Sequence, residues 1–324
     1  ITDSINTDLT KIKNITTPNI SDIIKFKDLE DPIQLGNELD VEYLIQGSLM
    51  KMDTQFRLSM RMINTINSKE LWSDNWEEKT SNLASTKENI LVKILESLGI
   101  ELPKELQKKA GQKKDIDPIA YELMMKGKYA FLNAKNATDL DIAAALFKQA
   151  FEQQSDYIAA RNYYSFILFR LKKYDAAISS LEAAENIGKQ NKDSLGLFQI
   201  YNTFGIIYKQ MGKYSKAIDY LKEGLRLATA LDNIQGEANI LNTLGQCYTN
   251  MTNPEKAITY LKRSIKIKRQ LDRPIELSNS LGNLAIAYRR TGDYAKAISL
   301  WEESIEITKS NNIQYGFCIK HLCS

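Results

Sequence analysis

Four alanines stand forty residues apart: Ala177, Ala217, Ala257 and Ala297. Equal intervals of this kind require a chain built from one structural unit laid down repeatedly. Each alanine sits in the same local pattern. Gly212-Lys213-Tyr214 precedes Ala217-Ile218, and Gly292-Asp293-Tyr294 precedes Ala297-Ile298. Lys172-Lys173-Tyr174 leads to Ala177-Ile178, and Asn253-Pro254 to Ala257-Ile258. A first copy, with Ala143 and Phe147, lies 34 residues upstream of Ala177. Small residues let two antiparallel helices approach closely, and a glycine or an Asn-Pro pair turns the chain between them. Tyr208, Tyr248 and Tyr288 are expected to fill the gap between the helices, and Leu221, Leu261 and Trp301 to pack each second helix onto the next unit. The spacing predicts five helix pairs, at about 118–152, 157–190, 197–230, 237–270 and 277–310, with a sixth first helix beginning near Ile313. Asp117-Pro118 supplies a cap at the start of the array.

These residues resemble the tetratricopeptide repeat. The forty-residue interval, with Leu244-Gly245 and Tyr248, is similar to the longer-helix variety found in kinesin light chain and related adaptors. The resemblance implies an all-α superhelix with the first helix of each pair lining a concave wall. In that register the wall carries Asn162 and Phe166; Gln199, Asn202, Ile206 and Lys209; Asn239, Asn242 and Gln246; and Asn279, Ile286 and Arg289. Asn162, Asn202 and Asn242 recur at the forty-residue step, and each side chain offers both a donor and an acceptor. Such a row suits the amide groups of an extended peptide. It also suits an internal ladder of hydrogen bonds within or between neighbouring helices, or plain exposure to solvent, and the three readings stay open at this point. The row resembles the concave face of Gram-positive peptide-pheromone sensors. The carboxylate clamp of chaperone-binding repeats is not matched, since it would want Lys in place of Asn162, Asn202 and Asn242.

Upstream of the array, residues 1–100 read as a small mixed α/β domain. Ile1, Ile5, Leu9 and Ile12 fall at helical spacing, and residues 19–26 form a short strand candidate. Asp31-Pro32 starts a helix through Leu39. Residues 41–46 and 55–62 alternate as a strand pair around a turn at 52–54, and a third strand covers 70–77 with Trp72, Asp74 and Trp76 on one face. A helix from Asn82 to Leu98, striped by Ile90, Ile94 and Leu98, stops at Gly99. The order of elements, with Leu35-Gly36-Asn37-Glu38-Leu39, Val41 to Ser48 and Leu71-Trp72-Ser73-Asp74, resembles the TolB-amino-terminal-like (FlgO-like) domain of bacterial signalling proteins. That family implies an upstream effector, such as a nucleotide cyclase, and downstream repeats. Its usual first strand has no counterpart here, and the chain opens with Ile1 rather than Met, so a fragment of a longer protein is expected. Residues 101–117 are expected to form a linker helix.

Composition narrows the function. With 43 Lys and Arg against 40 Asp and Glu, the net charge of +3 gives no reason to expect nucleic acid as a partner of this segment. No apolar run approaches the length of a membrane span. The single histidine, His321, excludes most His-dependent catalysis, and Cys318, Cys323 and His321 sit too near the end to be read as a metal site. With Cys247 the cysteines number three, which fits a reducing, cytoplasmic compartment rather than a disulfide scaffold. Lys262, Arg263, Lys266, Lys268 and Arg269 read as a solvated basic helix face, loosely paired with Glu302, Glu303 and Glu306 one repeat on. The reading is therefore an α+β domain followed by an all-α repeat array of residues 118–324, needing no cofactor and performing no catalysis. Its partner would be a protein or peptide in the groove, and the amino-terminal domain would serve as a spacer or a homodimer element. Two alternatives are a peptide-sensing transcription regulator with its DNA-binding domain upstream, and an autonomous scaffold.

Overall fold

The computed structural model describes residues 31–52, 55–79, 83–100, 116–271 and 273–310, together with positions 5, 9, 15, 17 and 18. The strand expected at 19–26, the linker at 101–115, the sixth helix near Ile313 and the Cys318, His321 and Cys323 group lie outside the described residues. Two compact units divide the chain, Ile1–Tyr121 and Glu122–Ser324.

In the first unit, helix α1 (Pro32–Leu39) starts where Asp31 accepts a hydrogen bond from the Ile33 amide at 3.0 Å, with proline at the first helical position. Three strands follow: β1 (Tyr43–Met52), β2 (Gln55–Asn64) and β3 (Glu70–Lys79). They form one antiparallel sheet in the order β1-β2-β3. Met52 pairs with Gln55, so the hairpin loop is two residues long, and Leu58 pairs with Leu49 on one side and Trp76 on the other. The alternation of β2 sorts its side chains. Phe56 and Leu58 are buried, while Arg57 and Arg61 face outward and bond Glu77 and Gln46 at 3.0 and 2.8 Å. The buried face is covered by α2 (Leu83–Ser97), whose Ile90, Leu91, Ile94 and Leu95 join Ile5 and Leu9 in one core. Trp72 and Trp76, expected on one face of β3, meet edge to face at 6.4 Å and pack against that core. Lys93 of α2 lies over both rings and pairs with Asp74 between them.

From Pro118 onward the described elements are helices: α3 (Pro118–Leu132), α4 (Ala137–Gln153), α5 (Ile158–Arg170), α6 (Tyr174–Gln190), α7 (Ser194–Gln210), α8 (Tyr214–Ala230), α9 (Ile234–Asn250), α10 (Pro254–Gln270), α11 (Pro274–Arg290) and α12 (Tyr294–Ser310). From α6 onward every helix has 17 residues and consecutive helices are separated by three-residue turns, which accounts for the forty-residue period. The step upstream is six residues short of forty, and four of these are missing from α5, which has 13 residues rather than 17. The turns inside a pair and between pairs share one closure. Lys213 N donates to the Tyr208 carbonyl, Asn253 N to Tyr248 and Asp293 N to Tyr288, while Asn233 N donates to Ala228 across a pair-to-pair turn. This closure needs a left-handed residue, supplied by Gly212 and Gly292 but also by Lys172, Lys192, Asp232 and Thr252. Helices α7 and α9 begin three residues before the expected positions, because the side chains of Asp193 and Asn233 accept from the amides of Gly196 and Gly236 at 3.0 and 2.8 Å.

Packing follows the repeat. Ala177, Ala217, Ala257 and Ala297 are all buried, as are Tyr208 and Tyr248, and Tyr288 is half-buried. A side-chain carbon added at Gly205 or Gly245 would lie 2.4 Å from Leu221 or Leu261. Those leucines therefore close the gap to the first helix of their own pair. Between pairs the close approach is made instead at Gly224 beside Ile240 and at Gly188 beside Leu197.

Candidate functional site

First helices of successive pairs touch directly, α5 with α7, α7 with α9 and α9 with α11, and each also packs between two second helices. Their free faces therefore form a continuous wall along the array. The residues expected there lie on these four helices. Asn162 and Phe166 stand on α5; Gln199, Asn202, Ile206 and Lys209 on α7; Asn239, Asn242 and Gln246 on α9; and Ile286 and Arg289 on α11, all half-buried, while Asn279 on α11 is exposed.

Hydrogen bonding divides the wall. Lys209 Nζ donates to Gln246 Oε1 at 2.5 Å, bracing α7 against α9, and Asn283 donates to Asn242 Oδ1 at 3.1 Å, bracing α11 against α9. Arg290 extends the bracing by donating to the Thr249 carbonyl. The ladder between helices thus exists at Asn242. It does not continue to Asn162, whose Oδ1 is buried without a hydrogen-bond partner among the described residues. An unsatisfied amide oxygen of this kind costs about 1–3 kcal/mol unless a donor reaches it. Asn283 was missed by sequence reasoning, because it follows Asn242 by forty-one residues rather than forty.

The wall also grades in character. At its start Phe166 meets Phe131 at 6.0 Å and Phe169 at 5.8 Å. Farther along stand the cations Lys209 on α7 and Arg289 and Arg290 on α11. Helices α5 and α7 contain no acidic residue, and the acids of α9 and α11, Glu237 and Glu276, sit in their first turns. Burial holds the Lys209 ammonium below the usual lysine range, and beside it burial pushes the Cys247 thiol up to about 11. A thiol so placed is a packing group, not a nucleophile.

One residue of the expected basic face does not belong there. Lys268 is only 4% exposed, donating from the inside of α10 to Ser280 Oγ at 2.9 Å and to the Glu276 carbonyl at 3.3 Å. Its place in the repeat is that of Gly188, Ala228 and Thr308, and at Gly188 this position faces Leu197 of the following first helix. Around it the joint between α10, α11 and α12 is polar, with Ser278 hydrogen-bonded to Ser304 at 2.8 Å and to Thr308 at 3.0 Å. The expected pairing of the outer face with its acidic neighbour is present once, between Arg269 and Glu303 at 2.5 Å.

Among the described residues no group of His, Cys, Asp and Glu is placed to hold a metal, and no helix is long and apolar enough to cross a membrane. Residues 156–230 and 236–310 each match the family model of the tetratricopeptide repeat. A stretch of 149 residues is 21% identical to a protein of Rhizobium meliloti (strain 1021) named as an adenylate cyclase; it covers 46% of this chain but only 25% of that protein. The structure is similar to the crystal structure of BtubC (BKLC) from P. vanneervenii, with a TM-score of 0.50 and 21% identity over 71% of this chain and 84% of the other. It is also similar to a Rap protein complexed with Competence and Sporulation Factor, with a TM-score of 0.52 and 14% identity over 71% of this chain and 72% of the other. The array shares the helix-pair solenoid fold of these structures, and within it residues 156–230 and 236–310 are similar to tetratricopeptide repeats.

Proposed function

We propose that the wall of first helices binds an extended segment of a partner protein, with Asn162 and Asn202 gripping its main-chain amides and Lys209 and Arg289 meeting acceptors toward its end. Tetratricopeptide repeats imply protein–protein interaction, and the finer assignment rests on one observation: Asn162 Oδ1 is buried with no donor, while Asn242 is already engaged within the protein. Turned toward the groove, the half-buried Asn162 side chain would accept a peptide N–H and relieve an oxygen that the fold leaves unsatisfied. Gln199, Asn239, Gln246 and Asn279 complete the polar lining in this reading.

In the same proposal the chain is the partner-binding, regulatory part of a bacterial signalling protein acting in the cytoplasm, with residues 1–100 as a TolB-amino-terminal-like spacer or dimer element and a nucleotide cyclase as its effector. The likeness to the cyclase-named protein of Rhizobium meliloti supports this, and so does the order of a small sheet domain followed by repeats. Substituting Asn162→Ala together with Asn202→Ala should weaken pull-down of a bound partner by about thirtyfold, as loss of two amide contacts of roughly 1 kcal/mol each would. Circular dichroism of the double variant should stay unchanged. Retention of full partner binding by a folded double variant would remove the proposal.

A further inference from the structure

The fifth helix pair lacks a ring that the third and fourth possess, as does the second, where Ser180 holds the position. Tyr220 of α8 stacks on Phe204 at 4.4 Å and on Tyr208 at 5.5 Å, and Tyr260 of α10 stacks on Tyr248 at 5.4 Å with planes 3° apart. Forty residues on, the position is Leu300, and Tyr288 has no stacked ring beside it among the described residues. A leucine fills less space than a tyrosine, and a cleft of about 420 Å³ opens here on the outer side of α11, floored by Leu281, Leu284 and Leu300. Its rim is cationic: Lys262, Lys266 and Arg269 line it. Arg269 pairs with Glu303, whereas Lys262 and Lys266 have no carboxylate partner among the described residues, and Lys262 Nζ lies 5.8 Å from the Tyr288 ring. Where these three cations stand, the preceding second helix carries Lys222, Arg226 and Thr229, and the one before that Glu182, Asn186 and Lys189. The missing ring and the strongest charge thus coincide at one place in the array.

We propose that this cleft is a docking site, separate from the wall of first helices, for an aromatic side chain carried on an acidic segment of a partner protein. The partner's ring takes the space that Tyr220 and Tyr260 occupy in their own pairs, and its flanking carboxylates meet Lys262 and Lys266. An aromatic contact of this type adds affinity beyond area burial, and the charges select acidic over neutral sequences.

The test uses the whole chain and a fluorescein-labelled probe peptide with one phenylalanine between pairs of glutamates, followed by fluorescence anisotropy. Saturable binding is expected, weakening as salt is raised because the rim charges are screened over roughly 8 Å at physiological ionic strength. Replacing the probe's phenylalanine by alanine, or its glutamates by glutamines, should cost about tenfold or more in affinity. Leu300→Tyr, which introduces the residue of the third and fourth pairs and fills the cleft, should have the same effect. Lys262→Glu with Lys266→Glu, both on the surface, gives the second variant should Leu300→Tyr perturb folding. Asn162→Ala with Asn202→Ala should leave probe binding intact, which separates this site from the wall. Absence of saturable binding, or full affinity in both the Leu300→Tyr and the double-lysine variants, would overturn the proposal.

Discussion

At the scale of single residues, Lys268 is the position where chemistry and fold conflict most. Its burial lowers its pKa to about 8, and the coulombic pull of Glu276 offsets this only in part. Below pH 8 the lysine carries its proton in both folded and unfolded chains. Between pH 8 and the ordinary lysine value near 10.5 the unfolded chain holds that proton and the folded one does not, so stability rises with pH across this window. Cys247, pushed up to about 11, works in the opposite sense above its ordinary value of 9.0. The lysine contribution is therefore read as the difference between the protein and Lys268→Met. Urea unfolding from pH 8 to 9 should show the wild-type protein gaining roughly 1 kcal/mol relative to that variant. Equal pH slopes in the two proteins would mean that Lys268 is hydrated. No sequence pattern distinguished Lys268 from Lys266 or Arg269. Only its register with Gly188 and Ala228 did so, and that register lies one residue from the row of charges read as a face.

At the scale of elements, the repeat depends on pairing a small residue on each first helix with a large one on the second: Gly205 with Leu221 and Gly245 with Leu261. Gly245→Ala should destabilise the protein by about 1–3 kcal/mol, because the new methyl would sit inside Leu261 and force it to move. Gly282, also in a first helix, has nothing within 4 Å of its would-be side chain. Gly282→Ala should instead stabilise by about 0.5–1 kcal/mol through helix propensity alone. Thermal unfolding of the two variants checks both signs, and equal effects would show that the glycines are not packing determinants. Helix pairs were legible in the sequence because alanine, glycine and tyrosine recur where geometry demands them. Helix starts were less so. Asp193 and Asn233 cap three residues earlier than the apolar periodicity begins, and Arg273 starts α11 with no side-chain cap at all. The strands of the first unit were legible for the same kind of reason, since alternation in β2 and β3 matches their buried and exposed faces.

At the scale of the molecule, the seven consecutive 17-residue helices convert a sequence period into a period in space, so residues forty apart become neighbours along one wall. The wall's asparagines were visible in advance. Their division into engaged and unengaged members was not, because Asn283 and the Lys209–Gln246 pair fall off the forty-residue step. Partner binding by this wall is the claim on which the functional reading depends. The most direct measurement places a photocrosslinking benzophenone side chain at Gln199 or Asn239 on the wall, and at Glu223 on the second helix α8 as a control, in the full chain inside its native cell. Adducts with a partner are expected from Gln199 and Asn239 and not from Glu223. Adducts from Glu223 alone, with none from either wall position, would contradict the account.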